Sequence, residues 1–198
     1  MRAAALAGWL LAASAAWAQA PSSAPDPAHA LAGAPLAQAL RRGGLVIYFR
    51  HTATDMSRSD AGMTSLADCA NQRPLSEEGR VAARRIGESI RALRAAAGEV
   101  QASPMCRTLE TARLIFGQAQ PNDAVRLGGD GGYPGLASLM AAPPAAGRNR
   151  WVVGHGIPFR ALAGPPHLQE GEAAVLRPDG RSWTVVARIL PGAWSSLR

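Results

Sequence analysis

Apolar residues in this chain follow two rhythms, and the changes between them mark where elements begin and end. "LVIYF" (Leu45–Phe49) is an unbroken apolar run of strand length, the pattern of a strand covered on both faces. "EVQAS", ending at Ser103-Pro104, and "RWVVGH", ended by Gly154-His155-Gly156, predict two further strands. Between the first and second of these, Ala82, Ile86, Ile90, Leu93 and Ala97 recur at helical spacing. With Ser76 as N-cap and Glu77 and Glu78 in the first turn, they predict a helix running up to Gly98. Shorter helical patterns lie in "LAQALRR" before Gly43-Gly44, in "CRTLETARLIF" before Gly117, in "LASLMA" and in "IPFRALAG". The tail changes rhythm again, because "EAAVLRP" and "SWTVVARIL" flank a Pro-Asp-Gly turn at 178–180 and predict a hairpin. Strands alternating with helices imply an α/β fold of three layers, α/β/α. Its central sheet is mainly parallel, with an antiparallel C-terminal hairpin at one side.

Two stretches precede this pattern. A short basic start, the run "AAALAGWLLAASAAWA" and an A-x-A site at Ala18–Ala20 read as a cleaved secretory signal over residues 1–20. The run is rich in alanine and short for a bilayer, which favours a leader over an anchor. No later segment is long and apolar enough to span, so an exported, periplasmic protein with no stable membrane span is expected. Residues 21–36, rich in proline, alanine and serine, read as a flexible tether. Residues 37–198 then make one domain, of a size that supports a single core.

Every basic side chain is arginine, and loss of Arg2 with the leader takes the formal charge from +7 to +6. The excess suits anionic ligands. It is spread along the chain and not gathered in a run interleaved with aromatics, so no nucleic-acid partner is expected. The two cysteines, Cys69 and Cys106, are too few for a structural zinc site; in an oxidising compartment the pair is expected to form a disulfide. The link would tie the loop after His51 to the segment carrying Arg107.

Chemistry concentrates at the carboxyl ends of the three predicted parallel strands, where open α/β sheets bind ligands. Arg50 and His51 end the first strand, the second leads through Ser103 to Arg107, and the third delivers His155. Guanidinium forks bind phosphate bidentately and keep their charge, while a neutral imidazole nitrogen can attack phosphorus. A protonated second histidine, His155, would donate to the same oxygens. Neither an H-E-x-x-H motif nor a dense carboxylate cluster supports a metal hydrolase, and there is no G-x-S-x-G elbow for a serine hydrolase.

"FRHTATD", "RPLSEEGR", "SPMCRTLETA" and "VVGHG", in that order, resemble the histidine phosphatase superfamily, the group with the phosphoglycerate mutase-like fold. The resemblance spans Leu45 to about Leu162 and implies a phosphomonoester hydrolase acting on a small-molecule or macromolecular phosphate ester, with no cofactor and no metal. By the same resemblance His51 is the nucleophile, Arg50 and Arg107 hold the phosphoryl group, and His155 completes the pocket. Ser76–Arg80 starts a helix and has a structural role. Three positions depart from the family pattern. Thr52 stands where glycine is common, and its hydroxyl is open either to contact phosphate or to cap a turn. Asp130, flanked by glycines in "RLGGDGGYPG", is the nearest candidate for the acid that protonates the leaving group; Asp55 and Glu172 are lesser ones. Ile157 follows "GHG" where a polar residue is usual. A phosphate-binding or partner-docking protein that kept the pocket and lost turnover is the alternative reading. Arg160 has two readings, a substrate contact or a surface ion pair; Met105 and Tyr133 likewise read as pocket or core, and His29 and His167 as solvent-facing. Oligomeric state and physiological substrate are not legible in the sequence.

Overall fold

Side chains of one central strand feed two separate cores, and this dictates the layers. In the computed structural model, which describes residues 22–128 and 132–197, strand β1 is Val46–Arg50, and Val46 to Phe49 are completely buried. Ile47 and Phe49 point into one core and Val46 and Tyr48 into the other, the alternation that makes a continuous apolar run necessary. The other strands are β2 (Val100–Ala102), β3 (Gln120–Pro121), β4 (Arg150–Gly154), β5 (Ala173–Pro178) and β6 (Trp183–Ile189). They form one six-stranded sheet of order β3-β2-β4-β1-β5-β6. The β1–β4, β4–β2 and β2–β3 pairs are parallel, and β5 and β6 add an antiparallel hairpin beside β1. The sequence-predicted fold class is the observed one.

On one face lie α1 (Gly33–Arg42), α2 (Glu77–Leu93) and α3 (Cys106–Phe116). On the other lie α4 (Pro134–Ala141) and α5 (Gly156–Ala163). Phe49 is the hub of the first core, stacked 5.6 Å from Trp194 and near Trp151 and Phe116. Tyr48 is its counterpart in the second, stacked 4.9 Å from Phe159.

Helix α2 begins where the sequence predicts, with the Ser76 hydroxyl accepting from the Gly79 amide at 3.1 Å. It ends at Leu93, short of the predicted limit, because Arg94 turns left-handed (φ 56°) and the Ala96 amide donates to the Leu40 carbonyl. Strand β3 was not predicted; it is two exposed residues long and has no apolar pattern. The C-terminal 3-10 turn, Pro191–Ser196, was not predicted either, and it exists to seat Trp194 in the core.

The tether expected up to residue 36 is corrected over its described part. Ser23 is buried, and its amide donates to the Pro165 carbonyl. The amides of Asp26 and Leu31 bond the carbonyls of Val185 and Val186 on β6, and α1 is under way by Gly33 with Leu36 in the core. Residues 22–32 thus form a strap along the edge strand, using backbone groups that a composition-based reading does not register. The proposed leader, 1–20, lies outside the described residues. No described helix is long and apolar enough to cross a membrane.

Candidate active site

Sheet register brings the two histidines together. Arg50 pairs with Gly154, so the residues that follow each strand, His51 and His155, emerge side by side; the His51 amide donates to the Gly154 carbonyl at 3.0 Å. Their rings lie 5.5 Å apart, centroid to centroid, at 70°. The end of β2 contributes Ser103, and the first turn of α3 contributes Arg107. These residues surround a cavity of about 200 Å³ whose inner lining is Arg50, His51, Arg73, Arg107 and His155. Its mouth is formed by Leu127, Ile157, Arg160, His167 and Leu168, with Gly156 between.

Hydrogen bonds hold each ring in place. His51 Nδ1 lies 2.9 Å from the Thr52 carbonyl, which can only accept, so Nδ1 carries the proton and Nε2 keeps its lone pair. Burial pushes His51 down to about 3, with Arg107, Arg50 and Arg73 adding to the fall, and the imidazole is neutral at physiological pH. His155 is held by its surroundings at three points. Tyr48 Oη donates to its carbonyl and accepts from its amide, each at 2.9 Å, and Nε2 lies 2.9 Å from Ser103 Oγ. The Ser103 oxygen also accepts the Met105 amide at 3.5 Å and still has its proton and a second lone pair to offer Nε2. Burial, then His51 and the three arginines, push His155 to about 2. The expected imidazolium is therefore disfavoured here, by burial first and then by the neighbouring His51 and guanidiniums.

Three guanidiniums supply the charge. Arg107 is 2% exposed and bonds Asp60 Oδ1 at 3.0 Å; the same oxygen accepts the Arg73 amide at 2.8 Å. Burial pulls Arg107 below its ordinary value against the opposing effect of Asp60. Asp60 is pushed up by its own partial burial, but the Arg73 amide and Arg107 hold it below the usual carboxylate range. Arg50 reaches the Leu168 carbonyl at 3.0 Å and Glu170 at 3.3 Å. Among the described residues, five buried side-chain nitrogens have no hydrogen-bond partner. Four belong to this cavity: Arg50 Nε, Arg73 Nε, Arg107 Nε and His155 Nδ1. The three guanidinium Nε–H groups among them are donors, and because unpaired buried donors are costly the cavity suits an anion with several acceptor oxygens.

Of the sequence-predicted residues, the structure gathers Arg50, His51, Arg107 and His155. Thr52 is not among the lining: it is 1% exposed, and its amide and hydroxyl both face Thr111 Oγ1 at 3.3 Å. The phosphate contact considered for it is therefore replaced by a turn held against α3. Asp55 is engaged with Ser57, and Glu172 is buried in a two-point ion pair with Arg188, so neither faces the cavity. Asp130 lies outside the described residues. Met105 is core, with its sulfur 3.4 Å from Arg107 Nη2, and Tyr133 packs on the second core. Cys69 and Cys106 are joined in a disulfide, Cα–Cα 5.6 Å, so the loop after His51 is tied one residue from Arg107. Sequence reasoning missed Arg73, Asp60, Glu170 and the contact of Ser103 with the His155 ring. Arg73 stands in the "RPLSEEGR" block, whose arginine before proline was the available signal. His167, read as solvent-facing, is exposed yet lines the mouth.

This geometry sets an arginine- and histidine-lined cavity at one edge of a doubly covered, mainly parallel sheet, and known proteins share parts of the pattern. Residues 46–126 match the histidine phosphatase superfamily (branch 1). The fold resembles the protein histidine phosphatase SixA complexed with tungstate, at 17% identity and a TM-score of 0.56 over 75% of this chain and 97% of that one. It resembles equally a putative phosphohistidine phosphatase SixA from Agrobacterium tumefaciens, at 18% identity and a TM-score of 0.53 over 75% of this chain and 99% of that one. A phosphoglycerate mutase from Bacillus anthracis aligns at 15% identity with a TM-score of 0.51, over 79% of this chain and 96% of that one. No curated protein matches the chain in sequence. The histidine phosphatase match covers residues 46–126, and the chain has the phosphoglycerate mutase-like fold.

Proposed function

We propose that the protein is a phosphomonoester hydrolase working through a phosphohistidine on His51. The observation that carries the proposal is the pairing of a neutral, proton-fixed imidazole with three unpartnered guanidinium donors in one cavity. His51 Nε2 attacks phosphorus as the P–O bond to the leaving group breaks, and the alcohol departs with a proton taken from an acid or from water. Water then attacks the phosphohistidine, the P–N bond breaks, and inorganic phosphate leaves with His51 restored. Arg50, Arg73 and Arg107 neutralise the equatorial oxygens through both steps, and His155 Nδ1–H donates to one of them. The route needs no metal, because three guanidiniums supply the positive charge. Among the described residues no group of three His, Cys, Asp or Glu side chains is placed to hold one.

Export to an oxidising compartment belongs to the same proposal. It is supported by the composition of residues 1–20 and by the Cys69–Cys106 link.

Steady-state hydrolysis of an aryl phosphate with chelator present tests the reading. Activity that survives chelation and falls at least about a thousandfold in His51→Ala supports it. Activity unchanged by the substitution contradicts it, and phosphate binding without turnover moves the non-catalytic alternative to first place.

A further inference from the structure

We infer that the ester hydrolysed at this site carries an apolar group, aryl or alkyl, and not a polyhydroxy one. The inference rests on the phosphatase reading and adds the class of substrate.

Beyond the cationic floor, the leaving group must lie against the mouth. There the side chains of Leu127 and Ile157 form the wall, with Leu168 beneath them. Ile157 is 53% exposed, one of only three large hydrophobics so exposed among the described residues. A second, Met56, places its sulfur 3.3 Å from Arg73 Nη1, beside the same cavity. A half-exposed isoleucine at the entrance of a phosphate site gains by being covered with apolar surface. Sugar hydroxyls, in contrast, are recognised by carboxylates, amides and hydroxyls. Among the described residues no Asp, Glu, Asn, Gln, Ser, Thr or Tyr side chain is in the lining. The two carboxylates closest to the arginines, Asp60 and Glu170, are bonded to Arg107 and Arg50. A sugar seated here would trade water for carbon at its hydroxyls, which is unfavourable. Arg160 and His167 complete the rim; both are exposed, so a hydroxyl that bonds either one exchanges one hydrated contact for another with little net gain.

The test compares kcat/KM of the purified protein for hexyl phosphate and glycerol 2-phosphate. Both release an unactivated alcohol, and glycerol with its flanking hydroxyls is the more acidic of the two, so a preference for the hexyl ester cannot come from leaving-group reactivity. Hexyl phosphate is expected to be better by about tenfold or more, and Ile157→Asn to shrink that ratio about three- to tenfold, mainly through KM. Phenyl phosphate against hexyl phosphate separates aryl from alkyl preference. Equal or better use of glycerol 2-phosphate, or an unchanged ratio in Ile157→Asn, overturns the inference while leaving the phosphatase reading intact. If no ester is turned over, the phosphatase reading fails, and calorimetric binding of hexylphosphonate against methylphosphonate still reads the wall. Tighter binding of the hexyl compound by about tenfold sustains the apolar contact; equal affinities remove it.

Discussion

His51 is placed so that its only comfortable state is the reactive one. Protonation would put a fourth cation beside Arg50, Arg73 and Arg107 in a site too buried for water to screen it, and its Nδ1 proton is already committed to the Thr52 carbonyl. The pH profile should show this. With a folded value near 3, His51 stays neutral down to mildly acidic pH. Between pH 8 and 5, kcat/KM should therefore bend only at the substrate's own phosphate ionisation, about 6, and the bend should move when a substrate of different phosphate pKa is used. An acid limb near the ordinary histidine value that stays put across substrates contradicts the assignment. His155 shows what a reading of residue types alone does not reach. Its type and position were legible, but its charge was not, because that depends on burial and on the cations that the packed fold sets around it. Thr52 is a similar case. A hydroxyl after His51 has two plausible uses, and only the packing of α3, which brings Thr111 within 3.3 Å, selects one.

At the level of elements, the pocket is assembled by close approaches at helix starts. The first turn of α2 lies against the loop leaving His51: the Ser76 amide donates to the Ala53 carbonyl at 3.0 Å, and a side chain at Gly79 would collide with that same carbonyl. Gly79→Ala should cost about 1–3 kcal/mol by urea denaturation and lower kcat/KM by shifting the loop after His51. Wild-type stability in the variant would show that the contact is not needed. The Cys69–Cys106 link acts on the other side of the pocket, where Cys106 precedes Arg107 and the Cys106 amide bonds Gln72, the neighbour of Arg73. It closes a loop with a sequence separation of 37 residues, so Cys69→Ser/Cys106→Ser should be less stable by about 4 kcal/mol and should raise KM. An unchanged denaturation midpoint and KM would make the bridge incidental. Helix and strand identities were readable from periodicity wherever an amphipathic face or a doubly buried run existed. They were unreadable where an element is held by partners distant in sequence, as with β3 and the turn that inserts Trp194.

The molecule as a whole ties its amino-terminal strap to the mouth of the pocket. Ser23 bonds the carbonyls of Pro165 and Pro166, Arg188 bonds those of Pro166 and His167, and Arg50 bonds that of Leu168. A chain lacking residues 1–32 should therefore lose at least about 1 kcal/mol, a fall in Tm of about 2–4 °C, and should bind phosphate more weakly. Identical melting and binding would mean that the strap is a passive tail. The catalytic claim itself has a more direct test, which is rapid mixing of the protein with labelled substrate, acid or base quench, and mapping of the label. A base-stable, acid-labile phosphoryl group on His51, formed and discharged at rates consistent with turnover and missing from His51→Ala, is the predicted result. Turnover with label on another residue, or with no covalent phosphoprotein when hydrolysis of the intermediate is slowed, would contradict the phosphohistidine route.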